Sequence, residues 1–286
     1  MASGDLERGE PLGRFVVEDV IGRGGMGVVY KVRDPHTKMP YAAKVLSRAL
    51  AAEKDFVRRF KTEAKTAKHL THMNIVHAFK LKRWEGTYFY IMELVEGLPL
   101  DEVAKQEEFD LNRLLASIRE VACALDHIHS KRYVHRDIKP GNVLIRIDGH
   151  LKLVDFGLAQ KFGRVKRTKS GEVMGTAKYM SPELIQGGEV WPATDIYALG
   201  VMLYELIAKK APFEADHANV LMDMHLYVQH KPLIDVVPDI DRNLSLFVDR
   251  MLVKDYILRA SSAKTVHSWL DFYLTKGWFA DLPRSF

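Results

Sequence analysis

At 286 residues and 47% hydrophobic composition, the chain has enough apolar material for one large domain or two lobes, which excludes disorder for most of it. The formal net charge of +5 is mild and is not gathered into one long basic block, which favours a soluble enzyme over a nucleic-acid binder. A single cysteine, Cys123, excludes an intramolecular disulfide framework and a cysteine-based zinc site, and no run reaches the roughly 18 apolar residues of a membrane span.

Residues 1–12 are polar, contain glycine and lack an apolar signal core, so they read as a flexible tail and the location as cytoplasmic. From residue 15 the pattern predicts strands over 15–21, 28–33 and 41–46, then a helix over 52–70 charged on one face, then strands over 75–83 and 88–94. This is a small antiparallel sheet with one helix. After Glu93-Leu94-Val95-Glu96-Gly97 the character changes to long helical patterns over 111–131, 194–208, 244–252 and 263–274, with one strand over 151–154. Cys123 falls in the first of these as a small core residue. The fold class is α+β, with a first lobe over about 13–94, a connection over 93–97 and a mainly helical second lobe over about 98–286. No internal repeat or low-complexity linker is visible, so the two lobes are expected to form one domain with a cleft between them.

Several motifs carry chemistry. Gly22-Arg23-Gly24-Gly25-Met26-Gly27-Val28-Val29 is glycine-rich, and a dinucleotide turn is the first alternative. That turn should open into a helix with an acidic residue about twenty positions later. Here a β-branched and aromatic run, Val28-Val29-Tyr30-Lys31-Val32, follows instead and reads as a strand. Glycines at 22, 24 and 27 would let backbone approach phosphate oxygens. On the next strand Ala42, Lys44 and Leu46 share a face, and burial of Lys44 there would depress its pKa unless a carboxylate stands nearby. Glu53, Asp55 and Glu63 are the acids in reach by position. Further on, His135-Arg136-Asp137-Ile138-Lys139-Pro140-Gly141-Asn142 and then Asp155-Phe156-Gly157 supply a carboxylate to orient a hydroxyl, a lysine to neutralise a phosphate, and an amide and second carboxylate for a hard metal ion. A zinc-type reading of His127, His129, His135 and Asp137 fails because His127 and His129, at i,i+2 on a helix, point apart. His69, His72 and His77 also lack ligand spacing.

Together with Tyr41-Ala42-Ala43-Lys44-Val45, these motifs resemble the protein kinase family in the right order from about 13 to 274, and most of all its bacterial Hanks-type (eukaryotic-like) serine/threonine members. The resemblance implies a bilobal kinase fold and an ATP-dependent serine/threonine phosphotransferase acting in signal transduction. Asp137 and Lys139 would be catalytic, with Lys44 and Glu63 as an ion pair, and Lys139 would mark serine/threonine specificity. ATP would be held by Ile21, Gly22, Gly24, Gly27, Val29, Ala42 and Lys44, with Met92 as gatekeeper and the backbone at Glu93 and Val95 reading adenine. Asn142 and Asp155 would face Mg²⁺ or Mn²⁺.

The same resemblance assigns His135 to packing, Glu183 to an ion pair with Arg259, and Asp195 to holding the catalytic-loop backbone from beneath. Between Asp155 and Ser181-Pro182-Glu183, the cations Lys161, Arg164, Lys166, Arg167 and Lys169 surround Thr168 and Ser170. Phosphates on Thr168 and Ser170 would pair with Arg136 and order the segment, while Thr176 would position Asp137 and Lys139. Ser181 and Tyr256 stand where the family usually has alanine and proline. Partners implied are ATP, proteins carrying Ser or Thr, and a second copy during autophosphorylation in trans, with a homodimer allowed and no nucleic acid. The chain could also be the cytosolic domain of a longer membrane-anchored kinase. Two other readings are a pseudokinase scaffold acting by contact, disfavoured because every chemical position is filled, and a small-molecule kinase, disfavoured by the peptide-ledge character of 176–183.

Overall fold

Apolar and polar residues alternate along Phe15–Gly24, and the strands that follow are rich in Val, Tyr and Ala, so the chain pairs with itself in antiparallel register. The computed structural model describes residues 5–157, 159–164, 177–260 and 262–276. Their contacts divide the chain into two compact units, Met1–Glu96 and Gly97–Phe286.

The first unit holds β1 (Pro11–Leu12), β2 (Phe15–Gly24), β3 (Gly27–Arg33), β4 (Pro40–Leu46), α1 (Arg48–Ala51), α2 (Lys54–His69), β5 (Ala78–Trp84) and β6 (Thr87–Met92). The six strands form one antiparallel sheet in the order β1-β2-β3-β4-β6-β5. One face buries Phe15, Val17, Tyr30, Val32, Ala43, Val45, Phe89 and Ile91. Side chains of the opposite parity, Lys44 and Tyr90 among them, meet α2, where Phe60 lies 5.3 Å from the Tyr90 ring and is fully buried, a burial that contributes about 1.5–3 kcal/mol. Glycine is required at 27, because a Cβ there would lie 1.9 Å from the carbonyl oxygen of Val45.

The expectation of a flexible tail through residue 12 is corrected by this sheet. Pro11 and Leu12 pair with Val16 and Phe15, Leu12 is buried in the core, and the Leu6 amide donates to Tyr30 Oη at 3.0 Å. Two apolar side chains in so short a stretch give too little periodicity to be read as a strand.

The second unit begins with β7 (Gly97–Pro99), which joins β9 (Val143–Arg146) and β10 (Leu151–Leu153) in a three-stranded sheet ordered β10-β9-β7. Two short ladders pair β8 (Tyr133–Val134) with β11 (Gln160–Lys161) and β12 (Gly163–Arg164) with β13 (Glu189–Val190). Its helices among the described residues are α3 (Leu100–Val103), α4 (Leu111–Ser130), α5 (Pro182–Ile185), α6 (Pro192–Ala208), α7 (Ala218–Tyr227), α8 (Arg242–Met251) and α9 (Ala263–Lys276). Asp110 caps α4 by accepting from the Arg113 amide at 2.8 Å. Residues 193–204 of α6 are all buried, as expected of a helix apolar on every side. Gly200 lets α8 approach it, since a Cβ would lie 2.7 Å from the Cβ of Met251. The helix α7 was not anticipated: Ala218, Leu221, Met222 and His225 face the core, but Val220 and Tyr227 are exposed, so its apolar residues are not confined to one face. No helix among the described residues is long and apolar enough to cross a membrane.

Two buried polar clusters lock these helices. Arg259 grips Glu183 bidentately, Nη1 to Oε1 at 2.9 Å and Nη2 to Oε2 at 3.1 Å, and donates further to the carbonyls of Ala193, Val253 and Lys254. Replacing Arg259 by Met should therefore cost about 3–5 kcal/mol in denaturant unfolding, because Glu183 is left charged and buried. Adding Glu183→Gln to Arg259→Met should recover part of that loss.

His225 is fully buried, with Nδ1 2.9 Å from Tyr197 Oη, against Phe213 and near Lys254. Burial, and then the Lys254 charge, push its pKa down to about 4. The folded protein thus favours neutral His225, so its contribution is complete above the ordinary histidine value near 6.5 and is lost as pH falls towards about 4. That loss approaches about 3 kcal/mol and should appear as a falling urea midpoint between pH 7 and 4, with a shallower fall in His225→Gln.

Candidate active site

In the first unit, strand register builds the site. Gly22 pairs with Val29, Val29 with Lys44, and Lys44 with Tyr90, so these positions form one row across β2, β3, β4 and β6, with their side chains on one face. Ala42 lies opposite Met92 in the next row of that face. Ile21 sits at a register shift between Val20 and Gly22 and is 48% exposed. Gly24 and Gly27 pair across the end of the hairpin.

Glu63 reaches this row from α2. Lys44 Nζ lies 2.6 Å from Glu63 Oε1, and Tyr90 Oη donates to the same oxygen at 2.7 Å. All three groups are buried. Of the acids open to Lys44 by position, the structure thus brings Glu63 to it, while Glu53 and Asp55 are exposed at the start of α2. Tyr90 was missed by sequence reasoning, and its pairing opposite Lys44 was the signal that could have found it. The amide of Glu93 donates to the His77 carbonyl at 3.0 Å, while its side chain accepts from the His77 amide at 2.8 Å. Val95 is half-buried.

In the second unit, the loop after β8 is suspended from one buried carboxylate. Asp195, in the first turn of α6, accepts from the amides of His135 and Arg136, each at 2.8 Å, and lies 2.8 Å from His129 Nε2. Burial opposes its charge, yet the His129 contact, the nearby imidazoles and the Arg136 amide hold its carboxyl below the ordinary value. His135 is wholly buried, 5.0 Å from the ring of Phe156; burial outweighs the nearby carboxylates, lowers its pKa and keeps it neutral. Its ring packs edge-on against Phe156.

Asp137, Lys139 and Asn142 converge. Lys139 Nζ donates to Asp137 Oδ2 at 2.8 Å, and Asn142 Nδ2 donates to the same oxygen at 2.8 Å and to the Asp137 carbonyl at 2.7 Å. The donor end of the Asn142 amide therefore faces Asp137, which turns its carbonyl oxygen away. The Val154 amide donates to the Asn142 carbonyl at 2.9 Å, joining this loop to the strand that leads into Asp155. Asp155 has φ +63° and accepts from the Gly157 amide at 3.0 Å. Arg136 also has positive φ, +69°, and its guanidinium donates to Gln160. Gln160 was not anticipated, nor was the pairing of His129 with Asp195. Thr168, Ser170 and Thr176, with Lys166, Arg167 and Lys169, lie outside the described residues.

Among the described residues no group of three or more His, Cys, Asp or Glu side chains could hold a metal ion, which leaves the histidine-cluster reading without support. The amide oxygen of Asn142 and the carboxylate of Asp155 are a different donor set, hard oxygens suited to a cation that keeps waters and phosphate ligands.

The protein kinase domain family matches residues 15–270. The serine/threonine-protein kinase PknA of Mycobacterium tuberculosis is 36% identical over 256 residues, covering 87% of this chain and 59% of PknA. The serine/threonine-protein kinase PrkC of Bacillus subtilis is 33% identical over 257 residues, covering 90% of this chain and 40% of PrkC. The chain thus spans well under two thirds of the length of these relatives. The crystal structure of a double mutant of the Mycobacterium tuberculosis PknI kinase domain superposes with a TM-score of 0.74 at 27% identity, covering 94% of this chain and 99% of that one. By family match, by relatives and by fold, the chain belongs to the protein kinase family.

Proposed function

We propose that residues 13–286 form a catalytic domain that transfers the γ-phosphate of ATP to serine and threonine hydroxyls of proteins, in signalling. The observation that carries this reading is the convergence of Lys139 and Asn142 on the carboxylate of Asp137. Asp137 would accept a hydrogen bond from the substrate hydroxyl and take its proton late, as the new O–P bond forms and the bond to the ADP oxygen breaks. Lys139 would balance the charge that moves onto the transferred phosphoryl oxygens. The names of PknA and PrkC support serine/threonine over tyrosine specificity.

Lys44, held by Glu63, would contact the nucleotide phosphates. Ile21, Gly22, Gly24, Gly27, Val29, Ala42 and Met92, with the backbone at Glu93 and Val95, would form the nucleotide site. Asn142 and Asp155 would hold Mg²⁺ or Mn²⁺, which when bound neutralises phosphate charge. Arg136 would receive phosphate carried by Thr168 or Ser170, with Thr176 positioning the catalytic loop and a second copy as the phosphorylating partner.

Incubation of the purified chain with Mg-ATP, followed by phosphosite mapping, tests the chemistry. The wild type should phosphorylate itself and a generic protein substrate, while Asp137→Asn and Lys44→Met should each lower the rate by about 10²–10⁴-fold. A wild type that binds ATP yet transfers nothing would overturn the proposal in favour of a scaffold.

Replacing both Thr168 and Ser170 by Ala should lower activity by about 5- to 150-fold, the range of a typical coupling free energy. Unchanged activity, with no phosphopeptide from 165–176, would remove the regulatory part of the reading.

A further inference from the structure

The outward face of α2 carries charge of one sign. Lys54, Arg58, Lys61 and Lys65 stand at i, i+4, i+7 and i+11, the spacing of a single helical stripe, and Lys68 extends it. All five are exposed. With Arg83 of β5, the first four line a groove of about 570 Å³ whose floor includes Tyr88, Val57 and Ala51. Lys61 Nζ lies 4.5 Å and Arg83 Cζ 5.4 Å from the centre of the Tyr88 ring, so two of the cations are braced over that floor.

Nothing internal requires this arrangement. Like charges three and four residues apart destabilise a helix, and here four such neighbours follow one another. Asp55 pairs with Arg58 at 3.0 Å, but both are exposed, and no carboxylate lines the groove among the described residues. A merely solvated face would mix its signs, as the rest of a soluble surface does.

We propose that this groove is a docking site for an acidic peptide segment of a protein partner, distinct from the proposed catalytic residues. Its shape and chemistry select that class. The stripe from Lys54 to Lys65 runs about 16 Å, the reach of roughly five extended residues. The floor left by Val57 and Ala51 accepts apolar side chains between the acidic ones. The Tyr88 ring is already engaged by Lys61 and Arg83, so it is not offered for base stacking, and a concave groove does not meet a bilayer surface. The same helix carries Glu63 on its opposite, buried face, so an occupant would lie one helix width from the Lys44–Glu63 pair.

Fluorescence anisotropy with the full chain tests this directly, without relying on kinase activity. The probe is a labelled ten-residue peptide of glutamates interspersed with leucines, set against the same peptide with glutamine for glutamate, a single-stranded oligothymidylate and phosphatidylserine vesicles. The glutamate peptide should bind and the glutamine peptide should not. Lys61→Glu with Arg83→Glu, or Lys54→Glu with Lys65→Glu as a second pair, should weaken binding by about tenfold or more, and Lys210→Glu should not. Circular dichroism confirms that the variants are folded. Absence of binding at millimolar peptide, equal binding of the glutamine peptide, or affinity indifferent to both reversals would overturn the proposal. So would tighter binding of the oligonucleotide or the vesicles that is lost on the same reversals.

Discussion

The carboxylate of Asp195 is the constraint on which the rest of the catalytic loop depends. A buried charge costs several kcal/mol unless it is fully paired, and this one collects two backbone amides and an imidazole nitrogen within 2.8 Å. Its place in the first turn of α6 adds the favourable end of the helix dipole. In return it holds Arg136 at φ +69°, a conformation that costs a non-glycine residue about 1–3 kcal/mol and persists only when its surroundings over-determine it. Asp137 follows that strained residue directly. Its direction is therefore set by an acid in a distant helix as much as by its own contacts with Lys139 and Asn142.

Strand register does the remaining placement in both units. In the second, Leu153 pairs with Val143, which brings Val154 beside Asn142 and carries Asp155 towards the same loop. In the first, the row Gly22, Val29, Lys44 and Tyr90 puts chemically different residues on one face because each is the direct partner of the next. A slip of one residue in β4 would send Lys44 into the apolar face that holds Ala43 and Val45, away from Glu63. The apolar packing of that face thus protects the position of the lysine on the other.

This division explains what could be read from residues alone. Helices α4 and α6 were legible because long apolar periodicity is local, and the motif residues from His135 to Asn142 were legible because they are contiguous. Glu63 needed the resemblance to separate it from Glu53 and Asp55. Tyr90, His129 and Gln160 were not legible: their partners lie 27, 66 and 24 residues away, and which atoms meet depends on register and helix packing. Strand β1 and helix α7 were missed for different reasons: β1 is only two residues long, and in α7 the exposed Val220 and Tyr227 blur the period of the inward side chains.

Helix α2 is where these limits matter most. Its inner face is thinly apolar, with Phe60, Ala64 and Ala67 the buried hydrophobic residues, so much of its seat on the sheet rests on Glu63 meeting Lys44 and Tyr90. Few buried apolar contacts place an element towards the less stable end of a fold. On its outer face, charges that look scattered along the chain fall into one stripe once the helix is formed, because a period of 3.6 gathers residues 54, 58, 61, 65 and 68. A helix held by this charged contact and by Phe60 packing on Tyr90, and burdened by self-repulsion on its free side, would be favoured by the proposed acidic peptide laid along that side. Relief of the repulsion favours the helical state, and the helical state is what holds Glu63 in register with Lys44.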